Sequence, residues 1–333
     1  MRCLYTILAV LLAFAMHGQD IHFSQFRQMP LHYHPAMTGQ FKGDVRLAGI
    51  QRTQWRSVTQ PFVTFGAAAD FAHLEGLKDV GAGLYLMQDR AGDSEFNTFQ
   101  INASIAKAYN LKEIEDARLM FGAQIGFTQK SINLDALRFD NQWNGFAYDP
   151  SLATGEDLPN TAVGMLQLNL GAAFEKKLTG RDQYTGAFSI FQWSTPNNSF
   201  YNEQLPLDAR WNFSAMGTKQ LNDEWDIRPA VHIGLQGKFR EVLIGADARR
   251  ILMEDKGLWR AIYGGVFFRT RDAGYILAGM EYDQWNIGLS YDINYSDLTP
   301  ASNAKGGFEF SLVYIFEKFR PPSIPKKNCP DYL

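Results

Sequence analysis

Residues 99–105 read Phe99-Gln100-Ile101-Asn102-Ala103-Ser104-Ile105, with apolar and polar side chains alternating without a break. Successive side chains of an extended chain point to opposite faces, so the stretch predicts a strand with one apolar and one polar surface. The pattern recurs along the chain. Leu119, Phe121, Ala123, Ile125 and Phe127 oppose Arg118, Gly122, Gln124, Gly126 and Thr128, and Leu166, Leu168, Leu170 and Phe174 oppose Gln167, Asn169 and Gly171. Ile287, Leu289, Tyr291, Ile293 and Tyr295 oppose Asn286, Ser290, Asp292 and Asn294. Phe308, Phe310, Leu312, Tyr314 and Phe316 oppose Glu309, Ser311 and Glu317.

About fourteen such segments can be counted, centred near Ile50, Ala67, Leu84, Ala103, Ala123, Leu168, Ala187, Phe213, Val231, Ile244, Tyr263, Ala278, Ser290 and Leu312. Each is close to the roughly 10 residues that a tilted strand needs to cross a bilayer. The expected fold is all-β, a transmembrane antiparallel β-barrel of about 14 strands with a non-strand N-terminal segment. An even count returns the chain to its starting side. With both termini periplasmic, the long connections 131–161 and 194–208 fall outside, and the short turns 178–181, 222–224 and 254–257 fall in the periplasm. Long outer loops over short inner turns are the usual asymmetry of such barrels. Tyr109, Trp193, Trp211, Trp225, Trp259 and Trp285 fall at strand ends, where an interfacial girdle would place them. A soluble β-sandwich or soluble barrel is the competing fold, but an export signal followed by so many amphipathic strands suits a lipid-facing surface better.

The termini read differently. Met1 and Arg2 form a basic start, residues 4–16 are apolar apart from Thr6, and Ala13, Ala15 and Gly18 are small. Residues 1–18 are therefore expected to be a cleavable signal peptide, the apolar run being shorter than the roughly 20 residues of a spanning helix. Cys3 precedes that run and so is not a lipoprotein cysteine; Cys329 alone remains in the mature chain, as an unpaired thiol or a site for an intermolecular disulfide. Residues 19–43 carry two prolines and three histidines without alternation, and are expected to plug the lumen or lie beneath the barrel. The barrel is expected over 44–319. Residues 320–333, with Pro321, Pro322, Pro325 and Pro330, lack the donors of a paired strand and read as a periplasmic tail.

A formal net charge of −3 with no basic block argues against nucleic-acid binding. A chain slightly polar on average yet rich in aromatics fits a barrel with a wet interior. His32 and His34 resemble a ligand pair, but no acidic or cysteine partner is spaced to complete a set, so no metal is expected and no cofactor. Strand parity from Ile227, Val231, Ile233 and Leu235 turns His232 and Arg228 inward. An outer-membrane hydrolase built on His232 is one alternative function, but no Gly-x-Ser-x-Gly elbow is present and no catalytic residue is assigned. A porin or lipid-type transporter is the stronger alternative, in which Asp70, Asp247, Glu281, Asp292 and Glu309 would form an acidic lumen unless some pair with Arg118 or Arg249. In the outer connection, Leu137, Arg138, Phe139, Trp143, Phe146 and Tyr148 are candidate partner-binding residues, because aromatics and arginine dominate binding hot spots. The equal alternative is that this loop packs on itself.

Ile21-His22-Phe23-Ser24-Gln25-Phe26, followed by Pro30-Leu31 and Pro35-Ala36-Met37-Thr38-Gly39, resembles the opening signature of the PorP/SprF family of outer-membrane proteins in type IX secretion and gliding of Bacteroidetes. Arg52-Thr53-Gln54-Trp55 is similar to the family's first-strand element. Ser290-Tyr291-Asp292-Ile293 and Gly306-Gly307-Phe308-Glu309-Phe310-Ser311-Leu312 are similar to its last two strands, and Cys329-Pro330 to its tail. His34 stands where asparagine is expected and Phe308 where histidine is common. The resemblance marks His22, Phe23, Ser24, Gln25, Phe26, Pro35 and Gly39 as the family motif. It implies a non-enzymatic protein that helps export or anchor a surface adhesin with a C-terminal sorting domain. Its implied partners are that secreted protein, periplasmic and outer-membrane secretion components, and outer-membrane lipid.

Overall fold

The computed structural model describes residues 21–317 apart from 57–59, 75, 157, 256 and 296–304. The expected signal peptide, the C-terminal tail, Cys3 and Cys329 lie outside the described residues. The chain forms β1 (Val45–Gln54), β2 (Phe62–Phe71), β3 (Val80–Ala91), β4 (Phe96–Asn110) and β5 (Ala117–Ser131). After a long connection follow β6 (Ala162–Lys177), β7 (Gln183–Phe191), β8 (Arg210–Gln220), β9 (Trp225–Gln236) and β10 (Phe239–Asp255). The last strands are β11 (Leu258–Arg269), β12 (Ala273–Tyr282), β13 (Trp285–Asn294) and β14 (Lys305–Phe316). All fourteen segment centres read from alternation fall inside these strands.

Each strand pairs antiparallel with its sequence neighbours, and β1 also pairs with β14, so that Gly49 lies opposite both Ala67 and Leu312. The sheet is thereby a closed barrel. Closure removes every edge, the one way a sheet satisfies its backbone groups where no water is available. Alternation sets the two surfaces: Ile125, Leu166 and Phe268 are more than half exposed on the outside, while Gln100, Asn102, Gln124 and Asn169 are buried inside. The long connections after β5 and β7 share one end, and the turns after β6, β8 and β10 are short at the other. That asymmetry makes the long-loop end the outer one.

Two features differ from the expectations, and another decides between alternatives left open. The interior is not simply wet: Phe23, Met29 and Leu31 pack on the inward Ile50, Tyr85 and Met87, and Phe26 and Tyr33 pack in a second cluster with Leu243, Phe267 and Tyr275. These wall residues are apolar because a protein segment, not water, lies against them. Second, β1 begins and β14 ends at the periplasmic end, yet the described chain starts near the outer rim, where His22 lies 3.6 Å from Glu241 and 3.9 Å from Asp272. Residues 21–43 therefore run down through the lumen as a plug. Third, Tyr109, Trp193, Trp211, Trp225 and Trp285 are exposed at strand ends, but Trp259 faces inward. Its Nε1 donates to Glu281 at 2.6 Å and Arg249 lies 5.1 Å over its ring, because the odd positions of β11 point into the lumen.

Candidate functional site

The plug is shaped by its prolines. Pro30 opens the short helix α1 (Pro30–Tyr33) and Pro35 opens a 3-10 turn (Pro35–Met37), each at a first-turn position where its missing N–H costs nothing. The residue before proline is pushed away from helical geometry, and His34 is accordingly extended at φ −143°. Short turns broken by extended corners cannot join a sheet. They form a compact cork instead.

Hydrogen bonds from this cork reach β1 to β5, β7 to β9 and β11 to β14. Ala36 packs with Ala173 of β6, and His22 faces Glu241 of β10. The densest anchoring is at Ser24 and Gln25. Their backbone N–H groups donate to the two oxygens of Glu309 at 2.6 and 2.9 Å. The Ser24 hydroxyl donates to Asp292 at 2.8 Å and accepts from Arg52 at 2.6 Å and Arg269 at 2.8 Å, while Tyr275 donates to the Ser24 carbonyl at 2.6 Å. Arg52 also bonds Asp292 at 2.7 Å and pairs with Glu309, and both arginines are 1% exposed. Two guanidinium groups balance two carboxylates, as a dry site requires, since a buried charge without a partner is strongly destabilising. Gln25 completes the set by accepting from Ser311 at 2.7 Å.

Further down, two glycines permit close approach. Gly39 has φ +70°, its N–H donates to Asp70 at 2.8 Å, and a Cβ there would lie 2.6 Å from the Phe71 carbonyl oxygen. Asp70 is held in turn by Arg46 at 2.7 Å. A Cβ on Gly122 would lie 2.4 Å from the Pro35 carbonyl carbon, so the wall is bare where Pro35 presses against it. His22, Phe23, Ser24, Gln25, Phe26, Pro35 and Gly39 are thus brought together as lumen contacts of one segment.

The other expected residues are distributed as follows. His232 is not a lone histidine: its Nδ1 lies 2.8 Å from the Ser214 hydroxyl, which lies 2.7 Å from Nε2 of His34. Burial, reinforced by the nearby positive Arg210, pushes His34 down to about 3. His32 and His34 diverge, His32 meeting the Ile21 carbonyl at 3.0 Å and the Tyr85 hydroxyl at 2.8 Å, and no described group of three such side chains is placed to hold a metal. Asp70, Asp247, Glu281, Asp292 and Glu309 all face inward, but each is paired with arginine, Glu281 with Arg228 at 2.9 Å and Arg249 at 3.2 Å. The acidic lumen is therefore neutralised. Arg118 pairs instead with Glu175. Sequence reasoning passed over Arg269, Tyr275 and Ser214. Parity extended from Tyr263 would have turned Arg269 inward, but nothing in the pattern named its partner.

In the outer connection, Leu137, Phe139 and Tyr148 are half-buried and Arg138 lies 5.0 Å over the Tyr148 ring. Gln142 organises the base, accepting from the Phe139 N–H at 3.2 Å and donating to the Leu152 carbonyl at 3.2 Å. Trp143 and Phe146 project from the tip, Phe146 being 93% exposed.

The fold is shared with solved outer-membrane barrels. The Ralstonia pickettii toluene transporter TbuX superposes with a TM-score of 0.50 at 8% identity, over 87% of this chain and 94% of its own. The Pseudomonas putida toluene transporter TodX gives 0.49 at 12% identity, over 88% and 93%. No curated protein sequence matches. The family model described as "Type IX secretion system membrane protein PorP/SprF" matches residues 15–314. With that match running from the plug into the last strand and the signature segment forming the plug, the chain belongs to the PorP/SprF family of type IX secretion system membrane proteins.

Proposed function

We propose that this outer-membrane barrel is a non-enzymatic partner protein, which helps export or hold at the cell surface a secreted protein carrying a C-terminal sorting domain. The observation that carries the reading is the plug: a segment in contact with every strand leaves no wide pore, so the working surfaces are the outer loops and the rim. Trp143 and Phe146, held up by the Gln142 base and flanked by Arg138, supply the exposed aromatic and cationic groups on which partner binding depends. Family membership supports a secretion role over a small-molecule one.

A photo-crosslinker placed at Phe146 in intact cells tests this. Capture of a secreted protein with a C-terminal sorting domain is the expected result. Recovery of no protein adduct from a folded barrel, together with large steady conductance in planar bilayers, would replace the reading with that of a porin.

A further inference from the structure

The outer mouth of the lumen holds a second feature, which shares Met87 with the plug contact. It is a cavity of about 610 Å³, inside the roughly 300–1,000 Å³ range of small-molecule sites. One wall is built from inward side chains of adjacent strands: Thr98 and Gln100 on β4, Thr128 on β5 and Gln167 on β6, with Gln192 just past β7. The Gln100 and Gln167 amides bond each other at 3.1 Å. Gln192 is held at φ +52°, a left-handed conformation that glutamine seldom adopts, with its N–H bonded to Asn169 at 2.9 Å. Such strain persists where the surroundings over-determine it, and it clusters at binding sites.

Thr128 Oγ1, Gln192 Oε1 and Asn198 Oδ1 are buried polar atoms with no hydrogen-bond partner among the described residues, and all three residues line this cavity. Unpaired buried polar atoms are costly and call for an occupant that bonds to them. Apolar surface is interspersed with these groups: Met87 lies across from Gln100 in the β3–β4 pair, Phe96 is on β4 itself, and Leu205 and Phe239 also line the cavity. Lys130, Lys238 and Asp208 also line the cavity, two cations against one anion.

We propose that this cavity binds a neutral glycan entering from outside the cell. Amides and hydroxyls that both donate and accept match sugar hydroxyls, which do the same, and the interspersed apolar side chains suit the C–H face of a pyranose ring. An extended peptide is disfavoured, because recognition by strand addition needs an unpaired sheet edge and this barrel has none. The site goes beyond the partner-protein role and does not depend on it.

The full-length barrel, purified in sugar-free lauryldimethylamine oxide, would be titrated with neutral oligosaccharides of glucose, mannose and galactose, and with an unstructured peptide of similar length. Saturable binding of at least one neutral oligosaccharide is expected, weakened about tenfold by Thr128→Val and by Asn198→Ala. Folding of each variant is checked by heat-modifiable gel mobility. No sugar binding by the folded wild type, undiminished binding in both folded variants, or binding of the peptide alone would overturn the proposal. Should a variant fail to fold, saturation-transfer NMR on the wild type decides: transfer from aromatic to sugar-ring protons supports the site, and its absence overturns it.

Discussion

Ser24 shows how much a small side chain can hold when its neighbours are charged. Its hydroxyl joins Arg52, Arg269 and Asp292, and its backbone bonds Glu309 and Tyr275. Hydrogen bonds to charged groups contribute about 1.5–3 kcal/mol each, so Ser24→Ala is expected to weaken plug docking by about that amount. Arg52→Ala strands two carboxylates and is expected to cost about 3–5 kcal/mol. The midpoint of the heat-induced gel shift would rank the two, and equal losses would show that the network is not what holds the plug. His34 adds a pH dependence. Its folded value of about 3 lies below the ordinary 6.5, so its contribution to docking is complete above about pH 6.5 and is lost as pH falls toward 3. Protection from labelling of a cysteine introduced into the plug by Ser24→Cys should therefore fall between pH 6 and pH 4 by up to about tenfold per unit, and His34→Gln should flatten the profile. At this scale the sequence named the actors but not their partners: Arg52, Asp292 and Glu309 stood out, yet the residues that meet are up to 286 positions apart.

As an element, the plug depends on complementary shape. Pro35 and Ala36 fill a hollow made by Gly122, with Met120 and Ala173 beside it. Gly122→Val intrudes on backbone and cannot be absorbed by a side-chain rotation. Displacement of the cork is the expected result, seen as raised single-channel conductance in planar bilayers from a barrel that still shows heat-modifiable mobility. Unchanged conductance would mean that another contact seals the lumen. Strands were legible because lipid and lumen impose opposite polarities every second residue. The plug was legible only as a departure from that rule, and Trp259 was misread because strand-end position says nothing about which face a residue occupies.

For the whole molecule, stability rests on closure and on an apolar belt. Ile125 lies mid-strand on β5 with its side chain outward and 57% exposed. Ile125→Arg should destabilise the barrel by about 2–4 kcal/mol, measured by urea unfolding from liposomes, whereas the same change near a strand end should cost about 0–1 kcal/mol. Equal costs at both depths would contradict a lipid-facing surface. By itself the sequence determined the strand count, the two faces of each strand, the split between long loops and short turns, and the family signature, since each follows from local periodicity or spacing. Only the tertiary structure decided that residues 21–43 descend from the outer rim through the lumen, that every acidic candidate is neutralised by arginine, and that Ser24 rather than a histidine is the hub. Those facts depend on which distant strands closure sets side by side, and alternation assigns a face without naming what lies across from it.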